Sequence, residues 1–138
     1  MNNYGFEELE IGHSESFPVT VTAEMMQAFM GLTGDANPLH NDREYALKEG
    51  FDDTVAYGML TASFLSTLAG VYLPGEKSLI QNVEIKFMKP VYPGDSLTVE
   101  GTVAEKNEAY KVLKLKVNIR KSSGEKVLRG SMQVSIRS

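Results

Sequence analysis

The residues best suited to chemistry lie in one short stretch, in which Asp35 and His40 stand five positions apart. An amphipathic run over 23–32 ends at Gly34, and glycine is the usual left-handed residue just past the end of a helix. The dipeptide Asn37-Pro38 then favours a turn, because a proline ring disfavours helical geometry in the residue before it. We therefore predict that Asp35 and His40 flank a tight, non-helical bend and converge on one small molecule. A carboxylate and an imidazole converging on water form an acid–base pair.

The composition is that of an ordinary globular protein of 138 residues, with 42% hydrophobic residues and a formal net charge of −4. Such a chain is long enough to form one domain, here 1–138, around a core that needs no metal or disulfide. The absence of cysteine excludes a disulfide framework, a thiol nucleophile and cysteine-based metal sites. With only two histidines we expect no metal site, and without a basic block we expect no nucleic-acid partner.

The sequence also favours a soluble protein. The first eight residues lack a basic region followed by an apolar one, so no signal peptide is predicted. The longest apolar run, 57–74, contains glycines and hydroxyl side chains and predicts a buried helix, with no membrane partner. Together with the missing cysteines, these features predict a cytoplasmic protein that acts on a small molecule.

The central element of the predicted fold is a helix that begins at Gly58 and ends near Gly70. It carries no charge and is apolar around most of its circumference, which is typical of a buried helix. Before it, 14–20 predicts a strand that Pro18 confines to a sheet edge. Thr22 is the predicted N-cap of the next helix. The residues predicted to contact the core from this helix and from a short helix over 42–49 are Met25, Met26, Phe29, Leu32, Tyr45 and Leu47.

From Leu79 onwards, apolar and polar residues alternate, as in an antiparallel sheet with one buried face. We predict four consecutive strands joined as a meander, with turns at 93–95 and 122–124. An uncharged helix with such a sheet predicts an α+β fold in which the sheet curls around the helix. The predicted core residues of the strands are Val83, Ile85, Phe87, Leu97, Val99, Gly101, Val103, Leu113, Leu115, Val117, Ile119, Leu128, Met132, Val134 and Ile136.

The segment 33–40, TGDANPLH, resembles the hydratase signature of the MaoC-like, R-specific enoyl-CoA hydratase family. Further similar segments follow in the family's order: GML at 58–60, LPG at 73–75 and KFMKPVYPGD at 86–95. The resemblance covers nearly the whole chain and implies a hot-dog fold. It also implies a homodimer or higher oligomer that adds water reversibly to a trans-2-enoyl thioester, giving an (R)-3-hydroxyacyl thioester. The thioester of CoA or of an acyl carrier is then the substrate, and no cofactor is expected.

The resemblance further implies roles for single residues. Asp35 and His40 would hold and activate the water, and the backbone amide of Gly58 would polarise the thioester carbonyl. Ser66, two turns into the central helix, would support the site. The substrate-binding residues implied in this way are Asn37, which shapes the loop, Tyr57, Met59 and Ser66.

One position departs from the family pattern. Many relatives have histidine immediately before the glycine, where this chain has Tyr57. A tyrosine fills space and donates a hydrogen bond, but it does not carry a proton near neutral pH as imidazole does. We interpret Tyr57 as a residue that changes the shape of the pocket without abolishing activity.

Hydration of an enoyl thioester needs a base for water, an acid for Cα and a donor for the enolate oxygen. We expect Asp35 to be the base and His40 the acid, although the reverse assignment would use the same residues. The first amides of a helix lack intrahelical acceptors and carry positive partial charge, so the amide of Gly58 suits the third task. Glycine there lets an oxygen approach without meeting a Cβ.

Two other functions share this substrate class. A hot-dog thioesterase usually takes a catalytic carboxylate from the central helix or its start, and 58–70 contains none. A non-catalytic acyl-CoA-binding module would tolerate loss of the acid–base pair, which this chain retains. Arg43, Lys48 and Lys89 are the candidates for contacts with CoA phosphates, although solvated surface charge is the more ordinary role for each.

Overall fold

The computed structural model describes residues 1–138 and contains one five-stranded antiparallel sheet with helices packed on one face. The sheet face that carries these helices holds the buried core, and the opposite face is polar. The helices are α1 (Ala23–Thr33), α2 (Pro38–Asn41), α3 (Arg43–Lys48) and α4 (Gly58–Thr67), with a 3-10 turn at Phe6–Glu8 and a π-helical turn at Leu68–Tyr72. The strands are β1 (Ser14–Thr20), β2 (Ser78–Phe87), β3 (Ser96–Asn107), β4 (Val112–Lys121) and β5 (Lys126–Ile136).

Several local predictions are confirmed. Strand β1 has the predicted bounds and lies at a sheet edge. Because no second strand lies on its outer side, the sheet tolerates the missing N–H of Pro18 there. The hydroxyl of Thr22 caps α1 by accepting a hydrogen bond from the amide of Met25 at 3.1 Å. Gly34 closes the helix in the left-handed conformation, with φ of 76°. The cap at Thr22 and the helix end at Gly34 depend on neighbouring residues only.

The predicted four-strand meander is wrong. The strands lie in the order β1-β3-β4-β5-β2, so only β3, β4 and β5 are successive neighbours. Strand β2 pairs with β5 at the far edge, with Val83 opposite Met132. The eight residues 88–95 between β2 and β3 include Pro90 and Pro93 and pass along the end of the sheet instead of forming a tight hairpin. Alternation predicts a strand and its buried face, but it does not identify the neighbouring strand.

Helix α4 is buried on one side only, which corrects the prediction of a helix buried all round. Leu60, Thr61 and Leu65 face the core, and the π-helical turn continues this contact. Met59 is 64% exposed, and Ser63 and Ser66 are exposed as well. The sheet of a single chain covers one flank of the helix. The apolar composition of α4 does not show that the same chain also covers the other flank.

The core predictions are wrong at several edge positions. Leu32 is 83% exposed, because the last turn of α1 extends beyond the core. On the short helix α3 the buried residue is Ala46, whereas Tyr45 and Leu47 are exposed. Val83 and Phe87 of β2 are also exposed, at 44% and 49%. Strand β2 is an edge strand, so its apolar side chains have cover from one side only.

The core prediction for the inner strands is confirmed: the apolar residues predicted to face the core on β3, β4 and β5 are buried. No helix of the structure combines the length and the apolar character needed to cross a bilayer.

Replacing Gly130 by alanine should destabilise the fold, because a Cβ there would lie 2.0 Å from the carbonyl oxygen of Glu84 on β2. Overpacking of this kind costs about 1–3 kcal/mol. The matched change Gly31→Ala places a methyl in α1 with nothing within 4 Å of it. It should stabilise the fold by about 0.5–1 kcal/mol, because alanine favours a helix over glycine. Urea unfolding measures both variants; equal unfolding free energies would contradict the close contact between β2 and β5.

Candidate active site

The loop between α1 and α2 is ordered by side chains bonding to nearby backbone. Asp35 accepts a hydrogen bond on Oδ1 from the amide of Asn37 at 3.2 Å. Asn37 in turn accepts one on Oδ1 from the amide of Leu39 at 3.0 Å, which caps the start of α2. Such Asx turns hold a short bend without any contribution from the core. Asn37 therefore lies outside the cavity walls and shapes the loop that carries Asp35.

The bend is partly helical, which corrects the prediction of a non-helical bend. Asn37 itself is extended, with ψ of 124°, as the steric clash with the following proline requires. Pro38 then occupies the first position of α2, where its fixed φ suits a helix and its missing N–H is not needed. His40 consequently lies on a one-turn helix whose direction is fixed by the Asn37 cap.

The imidazole of His40 is oriented by a backbone carbonyl. Its Nδ1 lies 2.6 Å from the carbonyl oxygen of Val55. Because a carbonyl only accepts, Nδ1 carries the proton, and Nε2 is the atom that gains or loses one. The amide of Val55 donates to the carbonyl of Leu39 at 3.0 Å, and that of Ala56 donates to the carbonyl of Val91 at 2.7 Å. The accepting carbonyl is thus held in place from both sides.

Tyr57 connects the backbone of Asp35 with the side chain of His40. Its hydroxyl donates to the backbone carbonyl of Asp35 at 2.6 Å, and its ring stacks on that of His40 with 4.1 Å between centroids. The ring of Phe29 packs against the Tyr57 ring, with 4.8 Å between their centroids. Tyr57 is 2% exposed, and this burial, with a smaller contribution from the charge of Asp35, raises its pKa above the ordinary value of 10.0. The phenol therefore stays protonated and remains a donor at neutral pH.

Five of the predicted site residues line one cavity of about 450 Å³, which we call the acid–base cavity. Phe29 and Thr33 complete its wall. The predicted residues in this wall are Asp35, His40, Tyr57, Gly58 and Met59.

Ser66 is not among the residues that line this cavity. It is exposed on α4 two turns beyond Gly58, on the flank that the sheet does not cover. In the single chain, the position two turns into the helix is therefore not part of the wall that holds the acid–base pair.

The start of α4 offers amides without a side-chain cap. Tyr57 stands at the N-cap position but makes no side-chain bond to the helix, and Gly58 is exposed. The first amides of a helix have no intrahelical acceptor, so they are free to bind a ligand oxygen. The ring of Phe87 lies 3.2 Å from where a Cβ of residue 58 would be. Glycine therefore permits close packing of the β2 end against this helix start.

A second cavity, of about 320 Å³, shares His40 and Gly58 with the first. We call it the apolar cavity, since most of its exposed surface is carbon. Thr61, one turn after Gly58 on α4, also lines this cavity, and so does Lys89. The remaining walls come from Val55, Ala56, Phe87, Met88, Pro90, Val91 and Val127.

Of the three cations considered for phosphate contacts, Arg43 pairs with Asp53 at 3.4 Å and Lys48 with Glu44 at 3.5 Å. Only Lys89 lies at a cavity. No three histidine, aspartate or glutamate side chains are arranged to hold a metal ion.

Sequence reasoning missed three contributors to the site. The Val55 carbonyl is a backbone group, and no residue type signals its role. Phe87 was predicted to lie in the core, and it instead lines the apolar cavity beside Gly58. Thr61 could have been found, because hydroxyls in an uncharged helix need partners.

Known proteins resemble this chain in both sequence and structure. Residues 8–125 match the sequence model of one family, the MaoC like domain. The chain is 32% identical over 130 residues to the (R)-specific enoyl-CoA hydratase of Aeromonas caviae, an alignment that covers 94% of this chain and 97% of that relative. It is 38% identical over 98 residues to the (R)-specific enoyl-CoA hydratase of Rhodospirillum rubrum, covering 71% of this chain and 68% of that relative.

A solved structure shows the same fold. The unliganded R-hydratase PhaJ1 from Pseudomonas aeruginosa superposes with a TM-score of 0.93 at 28% identity, covering 99% of this chain and 87% of that chain. The five-stranded sheet with its central helix is therefore a hot-dog fold.

Replacing Tyr57 by phenylalanine keeps the ring but removes the donor to the Asp35 carbonyl, which should lower the unfolding free energy by about 1 kcal/mol. The folded-state pKa of Tyr57 is raised, so its contribution is present below pH 10.0 and is lost as the pH rises through that folded-state pKa. Urea unfolding of both proteins below and above pH 10.0 tests this. The wild-type advantage should shrink above pH 10.0, and an advantage independent of pH would contradict the assignment.

Proposed function

The chain belongs to the MaoC-like domain family, and we propose that Asp35, His40 and Gly58 carry out its chemistry at the junction of the two cavities. The protein is an enoyl-thioester hydratase of the lyase class, adding water reversibly to a trans-2-enoyl thioester to give an (R)-3-hydroxyacyl thioester. The observation that carries the residue assignment is the shared lining of the acid–base cavity by Asp35, His40 and Gly58.

The water is held by two side chains with complementary roles. Ionised Asp35 is an acceptor only, and His40 presents Nε2 because Val55 occupies Nδ1. In hydration, Asp35 accepts a proton from the attacking water while the water oxygen bonds to Cβ. Protonated His40 donates the proton from Nε2 to Cα, and transfer from Asp35 back to His40 resets the pair. Dehydration uses the same steps in reverse. Positioned proton transfer of this kind contributes about 10²–10⁴-fold.

The negative charge that develops on the thioester oxygen requires a third group. The uncapped amide of Gly58 supplies a donor at the positive end of α4. In other enzymes, loss of one such donor costs about 2.7–4 kcal/mol of transition-state stabilisation. Met59 and Tyr57 shape the wall around this position. Ser66 stays a predicted supporting residue, which would act only if a conformational change or a second chain brought it to the site.

The substrate is proposed to be a thioester of CoA or of an acyl carrier, with no cofactor. Lys89, at the apolar cavity and outside any ion pair, is the proposed contact for carrier phosphates. The cytoplasmic location stays a prediction. Neither of the other two functions is favoured: α4 contributes no carboxylate for a thioesterase, and the acid–base pair of a hydratase is retained.

We further propose that the protein is a homodimer, formed along β2 and the open flank of α4. Strand β2 is a ten-residue edge strand whose apolar side chains Leu79, Val83 and Phe87 are exposed. Met59 extends this apolar surface onto α4. Long apolar edge strands are usually covered in native proteins. A second copy related by a two-fold axis would cover β2 and the open flank of α4 at once.

Replacing Asp35 by asparagine or His40 by glutamine should lower turnover of a short trans-2-enoyl-CoA by about 10²–10⁴-fold, since each change removes one proton-transfer group. Loss of the conjugated thioester absorbance follows hydration, and release of free CoA would reveal a thioesterase. Asp52→Asn and His13→Gln are matched controls, because neither residue lines a cavity with the pair. Near-wild-type turnover of either site variant would refute the assignment, as would absence of hydration by the wild type.

Val83→Lys should convert the dimer to monomer, because it places a charge in the middle of the proposed interface. Sedimentation equilibrium should give twice the chain mass of 15.2 kDa for the wild type and for the control Ile11→Lys, which changes another exposed aliphatic residue far from β2. A monomeric wild type, or a Val83→Lys variant that stays dimeric, would contradict this interface.

A further inference from the structure

Thr61 carries the one buried side-chain oxygen or nitrogen in the structure that has no hydrogen-bond partner. The residue is 2% exposed, so its hydroxyl is not hydrated from bulk solvent. Buried hydroxyls without partners are unfavourable, and native proteins contain few of them. An isolated case in a native fold therefore calls for a physical explanation.

Other helical hydroxyls show what Thr61 does not do. Ser63, on the same helix, donates from Oγ to the carbonyl of Leu60 at 2.6 Å. Thr33 at the end of α1 donates to the carbonyl of Phe29 at 2.8 Å. Thr61 makes no such bond, although its own amide reaches the carbonyl of Tyr57 at 3.1 Å. Its hydroxyl is thus unpaired in a place where local pairing is ordinary.

The position of Thr61 relates this hydroxyl to the proposed site. Thr61 lines the apolar cavity together with His40 and Gly58. Side chains on an α-helix lean toward its N-terminus, so Thr61 covers the first turn of α4, where the Gly58 amide lies. Threonine in a helix populates two χ1 rotamers, and rotation about χ1 moves the hydroxyl from one staggered position to another. The unpaired hydroxyl of Thr61 and the uncapped amide of Gly58 therefore both belong to the start of α4, and both residues line the apolar cavity.

We propose that the Thr61 hydroxyl is a second donor to the thioester carbonyl oxygen that the Gly58 amide binds. The inference rests on the proposed hydratase function and adds a residue to it. As charge moves onto this oxygen during attack at Cβ, two donors share it, and the proton of the hydroxyl stays on Thr61. Bound substrate then supplies the partner that the folded chain lacks, which explains why the hydroxyl is unpaired without it.

The test uses two variants of Thr61 and one control on the same helix. Thr61→Val keeps the shape and removes the hydroxyl, whereas Thr61→Ser keeps the hydroxyl and removes the methyl. Thr67→Val makes the same exchange at a position that lines neither the acid–base cavity nor the apolar cavity. For each protein, kcat and KM are measured with enoyl-CoAs of short and long acyl chains, and the thermal unfolding midpoint is measured without substrate.

Thr61→Val should lower kcat about tenfold or more, by a similar factor for every chain length, because the carbonyl is common to all substrates. Its unfolding midpoint should equal or exceed that of the wild type, since an unpaired buried hydroxyl has been replaced by a methyl. Thr61→Ser should keep kcat within about threefold of wild type, and Thr67→Val should be unchanged. Loss of activity together with unchanged or increased stability is an outcome that a purely structural threonine would not produce.

Wild-type kcat in Thr61→Val overturns the proposal, and so does a fall in kcat accompanied by a lower unfolding midpoint. Equal losses in the serine and valine variants would assign the effect to the methyl group and overturn it too. A loss confined to long acyl chains would place the hydroxyl against the acyl tail instead of the carbonyl. The wild-type assay is independent of all these outcomes: if the wild type does not hydrate the substrate, the proposed function itself fails.

Discussion

The geometry of the site depends on one buried side chain, Tyr57, which contacts both residues of the acid–base pair. Its hydroxyl is bonded to the backbone of Asp35, its ring is stacked on His40, and its backbone leads directly into Gly58 and α4. Asp35 and His40 belong to a short loop with no buried residue of its own in 34–41. The tyrosine fixes this exposed loop to the core. A histidine in its place would be shorter and could not make the same phenolic bond, so the position of this loop depends on the tyrosine.

A second constraint comes from the segment that crosses the sheet end between β2 and β3. Its residue Val91 accepts a hydrogen bond from Ala56, next to the Val55 carbonyl that orients His40. The same crossing brings Lys89 to the apolar cavity, and Phe87 reaches it from the end of β2. In a simple meander, β2 would lie beside β3 and these residues would not reach the start of α4. The non-sequential strand order is therefore part of how the fold builds the site, since it brings the end of β2 and the crossing segment to the start of α4.

Much of the site could be predicted because its signals are local. Gly34, Asn37 and Pro38 act on the backbone within a few residues, and the sequence alone indicates the bend they form. The partner of β2, the exposure of Val83 and Met59 and the carbonyl that orients His40 could not be predicted in this way. Each of them depends on which distant segment lies nearby, or on whether a second chain covers the surface. Periodicity reports that one face of a segment is apolar, but it does not report what covers that face.

Several of the features that local reasoning missed lie together around α4, and they share a physical property. Around α4 the folded single chain leaves unmade several interactions that proteins usually make: a buried hydroxyl at Thr61, uncapped amides at Gly58 and apolar side chains at Met59 and Phe87. Elsewhere the same chain caps helices, as at Thr22 and Asn37, and pairs its buried polar side-chain atoms. Satisfying these groups within the chain would stabilise the fold, but it would also remove the donors and surfaces available to a ligand or a second copy. The groups without partners at the start of α4 are therefore the part of the free chain that is available for binding, at some cost in the stability of the fold.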